Sequence, residues 1–334
     1  MESLKTESGP PPPAVIGSIK AGFDTIAAHL GAIIMPLVLD LFLWLGPRLS
    51  VEKLILSFMP QLTESWKALG VTPEQLQQMN QANLEALPQL NLFWLLRTFP
   101  IGISSLASSQ FFSQKAGDTP LGAPSVMQVA SEWDLLTWTI VLSLLGWIGG
   151  AVYFFLVSRL IPRIGNSRAL PMAQAIGQSL LISFFWCIIV FILGMPILLF
   201  MALLLAVNPV IGQVAIFIFS LMSMWLVVPL FFWPHGVFLR NENVFTAIWS
   251  SWRFARFTLA SSSLFVLMIF MLSVGLNYLW AMPPKDSWMA LIGIVGHAFV
   301  TTALLAASFI YYRDMYQWLS TALERIKGKP LMRI

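Results

Sequence analysis

Apolar and polar positions fall in long blocks along this chain, and six of the apolar blocks reach the roughly 20 residues a helix needs to cross a bilayer core. They lie at about 27–46, 134–157, 179–206, 210–233, 259–281 and 289–311. The third and fourth are separated only by Asn208-Pro209, which predicts a tight antiparallel hairpin. The pattern predicts an all-α polytopic membrane protein with six transmembrane helices. Residues 1–26 form a cytoplasmic N-terminal segment, 27–46 the first span and 47–133 an extracytoplasmic cap of amphipathic helices. Residues 134–311 carry the bundle of spans two to six, and 312–334 a cytoplasmic amphipathic tail.

Within the cap, Leu54, Ile55, Phe58, Met59, Leu62, Trp66 and Leu69 recur at helical spacing and predict a helix with one apolar stripe. Thr72-Pro73-Glu74-Gln75 then supplies an N-cap, a proline at the first helical position and a capping-box glutamine, so a second helix runs to about Leu87. Residues 110–130 carry Gly, Pro and Ser and read as an extended loop. The apolar stripe suits helices lying on the outer membrane surface; the alternative is a lid or docking platform over the bundle. The stretch Asn91–Ser109 is apolar enough to resemble a seventh span, but it holds Arg97 and Pro100, and four serines crowd its end. It is rejected as a span and expected to be re-entrant or interfacial, with protein covering its irregular backbone.

Charge sets the orientation. Lys5 and Lys20, then Arg159, Arg163 and Arg168, then Arg240, Arg253 and Arg256, and five basic residues of the tail fall on one side. The two short loops of the opposite side hold Lys285 alone. The positive-inside rule therefore places both termini in the cytoplasm of a cell with the protein in its inner membrane. The polar, proline-rich start shows no cleavable signal pattern, and the first apolar run reads as a retained anchor.

Composition agrees with this picture. Of 334 residues, 57% are hydrophobic and 10% charged, against about 25% charged in soluble domains, which excludes a soluble enzyme or a nucleic-acid-binding domain. The net charge of +4 is the orienting Lys/Arg excess, also suited to anionic lipid, and does not imply nucleic acid. Cys187 alone excludes an internal disulfide or thiolate cluster.

A few residues are costly where they sit. Asp40, 13 positions after Ala27, lies about 20 Å from the cytoplasmic face at 1.5 Å per residue, and His297, 14 positions before Tyr311, lies at about 21 Å. Asp40 and His297 are thus the candidate intramembrane polar pair, facing each other or a shared cavity. The alternative is separate satisfaction of each, with Asp40 reaching water or Arg48. His29 is too shallow to join them, and His235 reads as a cytoplasmic turn residue in Trp233-Pro234-His235-Gly236. Gly146 and Gly150 form GxxxG and allow close helix approach. Pro36, Pro196 and Pro229 interrupt spans one, three and four. Trp249 and Arg253, and Trp252 and Arg256, stand at i,i+4 and are expected to make cation–π contacts. With Trp318 they are the expected interfacial anchors, or else a contact surface for a cytoplasmic partner.

No GxxxxGK[ST], GxGxxG, HExxH or GxSxG motif is present, and no paired intramembrane carboxylates. No catalytic residue, cofactor or metal site is expected. The run Ala247-Ile248-Trp249-Ser250-Ser251-Trp252-Arg253 and the end Tyr311-Tyr312-Arg313 with Trp318 resemble the helical membrane domain that accompanies bacterial glycerophosphodiester phosphodiesterases. The resemblance covers about a quarter of the chain, and the soluble phosphodiesterase domain has no counterpart here. It implies a polytopic module that accompanies other machinery, and carries over no activity. The expected function is a non-enzymatic membrane scaffold, assembly factor or accessory subunit, with the bilayer and other membrane proteins as partners. The alternative is a small transporter or ion-coupled facilitator using Asp40 and His297.

Overall fold

The computed structural model describes residues 12–68, 70–109, 119–163 and 170–326. It is about 81% helical, so the chain is all-α. The helices are α1 Val15–Ala28, α2 Ile34–Leu45, α3 Glu52–Ala68, α4 Pro73–Ala86, α5 Leu106–Ser109, α6 Glu132–Arg159, α7 Met172–Ile189, α8 Met195–Val207, α9 Pro209–Arg240, α10 Val244–Trp280 and α11 Ala290–Ile326. Among the described residues four helical stretches are long and apolar enough to cross a membrane: Glu132–Arg159, Met172–Leu205, Val244–Trp280 and Ala290–Glu324. A fifth appears if Val15–Ala28 and Leu30–Leu45 count as one span bent by 97°.

The expected first span, 27–46, is therefore not one straight helix. A 3₁₀ turn, Leu30–Ile33, separates α1 from α2. Pro36 has no N–H to give the carbonyl four residues earlier, so the helical ladder cannot continue backwards through this point. The expected third span continues through a π element, Val190–Gly194, which sits against Pro196. The expected fourth span lies in α9, of which Pro209–Ser220 stands out as a shorter apolar helix. Asn208 caps α9, its Oδ1 accepting from the N–H groups of Val210 and Ile211 at 2.9 and 3.2 Å. A Cβ on Gly212 would stand 2.6 Å from Leu205, so α8 and α9 fold back tightly on one another.

Two units divide the chain. The first holds the described residues of Met1–Ala32, Phe154–Leu272 and Thr302–Ile334. Its core is aromatic: Phe232, Trp233, Phe254, Phe265, Phe309, Tyr311 and Tyr312 are all essentially buried, and the Phe265 and Tyr311 rings stack at 4.0 Å. α1 joins it through Gly22, where a Cβ would stand 2.6 Å from that of Ala307 on α11. His235 is not a turn residue. α9 runs on through Pro229 and Pro234 to Arg240, and the imidazole is buried with Nε2 2.8 Å from the Ser308 hydroxyl. The helix continues because the turn falls later, at Asn241, which takes the left-handed conformation at φ 55°.

The second unit holds Ile33–Tyr153 and Ser273–Thr301. α3 and α4 form as the spacing predicts, and α4 opens with the capping box of Thr72 and Gln75. A short parallel ladder pairs β1 Arg48–Ser50 with β2 Val126–Gln128, an element the hydrophobic pattern does not predict. Of the expected loop 110–130, residues 110–118 lie outside the described residues. Trp44, Leu106 and Ile294 centre this unit's apolar core, with Leu37, Leu41 and Trp280 packed against them.

Candidate functional site

A buried polar point of the second unit is built on α2. Its apolar periodicity buries Leu39, Leu43 and Trp44 and carries Asp40 in with them, at 0% exposure. Both carboxylate oxygens are engaged. Oδ1 accepts from the Ser105 hydroxyl at 2.6 Å and the Ala107 N–H at 3.2 Å, and Oδ2 from the Leu106 N–H at 3.0 Å. Asp40 thus supplies from another helix the acceptor that the first turn of α5 lacks. The network continues outward: Ser105 Oγ accepts from the Ser108 N–H at 3.2 Å, and Arg97 donates to Ser108 Oγ at 3.3 Å.

Residues 91–107 present these donors without being a spanning helix. A 3₁₀ turn covers Leu92–Leu96, and irregular backbone follows to α5. Asn91 fastens its start, accepting from the N–H groups of Leu49 and Phe93 at 3.0 and 3.1 Å. Its far side lies on α6. A Cβ on Gly146 would stand 2.7 Å from the Leu96 carbonyl oxygen, and one on Gly150 2.6 Å from Gly102 Cα. The GxxxG face therefore admits irregular backbone rather than a partner helix, because only a surface without side chains lets two main chains approach so closely.

Asp40 and His297 have separate hydrogen-bond partners. His297 is 1% exposed, and its Nδ1 lies 2.7 Å from Asn277 Oδ1. With Nδ1–H donating there, Nε2 is left as a lone-pair acceptor, and it has no hydrogen-bond partner among the described residues. The nearby Trp280 Nε1, on a ring packed against Gly296, is likewise buried and unpartnered. The positive charge of Arg97 acts on both sequence-predicted residues. Arg48 is not the partner of Asp40.

In the loop joining α10 to α11, the Lys285 carbonyl accepts from Trp44 Nε1 at 2.8 Å. Burial, and then the charge of Arg48, hold the Lys285 ammonium below the ordinary lysine value of 10.5.

The expected anchors divide. Trp249 and Trp252 are 69% and 51% exposed on α10. The described cation–π contacts are Arg159 over Phe155 and Arg240 over Tyr316, so the expected pairs with Arg253 and Arg256 do not form. The indoles face outward, while Arg253 and Arg256 line separate hollows. Trp318 is half-buried on α11. Ser105, Ser108 and Asn277 were not singled out by sequence reasoning, and Arg97 entered it only as an obstacle to a span. The available signal was the serine cluster at 104–109, a run of hydroxyls beside a helical turn with no acceptor of its own. Among the described residues no three His, Cys, Asp or Glu side chains converge as a metal site would require.

These features define a helical protein with long apolar helices suited to membrane insertion and a buried polar network around Asp40. No protein-family model, curated protein or solved structure matches the chain.

Proposed function

We propose that this protein is a non-enzymatic integral membrane scaffold or accessory subunit, spanning the inner membrane with both termini in the cytoplasm. The carrying observation is the use made of Asp40: its three hydrogen bonds all go to the chain's own residues 105–107. A carboxylate whose two oxygens are both committed to holding one turn of its own chain serves architecture. In this reading α3 and α4 form the extracytoplasmic cap, and α9 completes the count of six spans. Support for a partner-binding role comes from the hollow along α3 and α4, about 550 Å³ in volume and lined by Leu76, Asn80 and Leu84. The resemblance of Val244–Trp318 to a membrane domain that accompanies other machinery points the same way.

The test is affinity purification in gentle detergent, read by native mass and protein identification. Stoichiometric membrane partners are expected. A protein that runs alone as a monomer or small homo-oligomer overturns the reading.

One observation favours a second reading. The unpartnered Nε2 of buried His297 is an open hydrogen-bond acceptor in the interior, of the kind a facilitator offers to a passing solute. If so, His297→Gln abolishes coupled uptake in proteoliposomes while the protein remains folded and unaccompanied.

A further inference from the structure

A second feature lies in the first unit, where α10 begins and α11 ends. A cavity of about 160 Å³ is lined there by Arg240, Ser250, Arg253 and Ser320 on the polar side and by Phe257 and Leu319 among its apolar residues. The two cations differ. Arg240 is held by Glu242 at 2.8 Å and lies 3.9 Å over the Tyr316 ring. Arg253 is exposed and has neither an ion pair nor a ring contact among the described residues. The surrounding carboxylates do not answer it. Glu242 is occupied by Arg240 and by the Ser250 hydroxyl at 2.6 Å, Asp314 is paired with Arg313 at 2.7 Å, and Glu324 is exposed beyond Leu323.

Depth orders these groups. The hydroxyls of Ser262 and Tyr311 meet at 3.3 Å and set the antiparallel register of α10 and α11 at the edge of their apolar stretches. From that level Phe257 lies five residues and Arg253 nine residues toward the start of α10, about 8 and 14 Å at 1.5 Å per residue. On α11, Leu319 lies eight residues beyond Tyr311, about 12 Å out. Phe257 thus stands nearest the span, Leu319 beyond it and the free guanidinium farthest out, the order in which a phospholipid presents its acyl carbons, glycerol and phosphate. Trp249 and Trp252, exposed on the same turns, are the residue type that settles at the headgroup layer.

We infer that this cavity binds the headgroup phosphate of an anionic phospholipid, with Arg253 as the charged ligand, Ser320 beside it, and Phe257 and Leu319 against the glycerol and first acyl carbons. A guanidinium free of carboxylates matches a phosphate oxygen pair. The apolar wall selects a lipid over a soluble anion.

The test titrates the full chain in gentle detergent with phosphatidylglycerol or chain-matched phosphatidylcholine and reads retained lipid by native mass spectrometry. Phosphatidylglycerol is expected to be retained preferentially. Arg253→Gln should lower that retention about tenfold, the loss of one charge-assisted contact. Arg256→Gln, one turn away on the same helix but outside the cavity, should change it by less than about twofold. Millimolar inorganic phosphate should not displace the lipid. Equal retention of the two lipids, an equal loss in Arg256→Gln, or displacement by phosphate each overturns the inference. Leu319→Trp, which fills the cavity and keeps both arginines, decides the matter if Arg253→Gln alters the melting profile: undiminished lipid retention in Leu319→Trp overturns the site.

Discussion

Replacing Asp40 by asparagine tests whether the buried carboxylate is architectural. Asparagine is nearly isosteric but offers one oxygen where aspartate offers two. If that oxygen keeps Ser105 and Ala107, the new NH₂ faces the Leu106 N–H, now 3.0 Å from an acceptor. One charge-assisted bond is lost and a buried donor left unmet, about 1.5–3 kcal/mol. The two surviving bonds weaken as the charge goes, while removing a buried charge returns part of its desolvation cost. The net is a loss of about 2 kcal/mol. At roughly 2–4 °C per kcal/mol for larger domains, the unfolding midpoint falls by about 4–8 °C. Thermal unfolding in gentle detergent, followed by tryptophan fluorescence, reads this directly. Ser105→Ala should lose less, about 1–2 kcal/mol, and the double variant less than the two losses together, because both act on one network. A midpoint for Asp40→Asn within about 1 °C of the unaltered protein refutes the reasoning and moves Asp40 from architecture to transport.

Other expectations follow from the same geometry. Gly150→Ala, whose methyl would meet Gly102, should destabilise by about 1–3 kcal/mol. Gly177→Ala, with open space around its Cβ, should stabilise by up to about 1 kcal/mol through helix propensity; paired melts compare the two. Thr72→Ala removes the capping box and should cost about 1 kcal/mol, seen as faster amide exchange confined to 73–86. Lys285 gives up its proton more readily folded than unfolded, so the unfolded chain binds more protons as pH approaches 10.5. Stability should therefore rise with pH from the folded value up to that point, and the slope should vanish in Lys285→Met; a slope that persists unchanged in the variant contradicts the assignment. In a Cys187→Ser background, cysteine at Ser65 should label only from outside and at Ser320 only from inside, and labelling of both from one face overturns the topology.

The helical class and the placement of most elements were legible because burial in an apolar medium writes long, uninterrupted hydrophobic runs, and because caps such as Thr72-Pro73-Glu74-Gln75 act locally. What was not legible depends on residues far apart in the chain. Asp40 was recognisable as costly, yet its partner is a turn 65 residues on, and nothing in spacing or depth distinguishes that turn from His297 at similar height. Gly146 and Gly150 signalled close approach without naming what approaches. The continuation of α9 through Trp233-Pro234-His235-Gly236 was hidden because proline and glycine read as a turn in water. Here tertiary contacts hold the helix, including the Ser251 hydroxyl donating to the Pro229 carbonyl and the Trp233 indole donating to the Val244 carbonyl at 3.1 Å.

The seating of residues 91–105 on Gly146 and Gly150 also imposes an order on biosynthesis. A chain emerging from the ribosome at about 5–20 residues per second presents Asp40 well before Ser105, so one fastening of this segment is ready in advance. The glycine seat is made later than the segment that needs it. Until α6 is complete, the irregular backbone is tied only at Asn91 and at Asp40, and the flank that Gly146 and Gly150 cover stays open. The final seating of the segment therefore follows the arrival of a helix that carries no side chain at the point of contact.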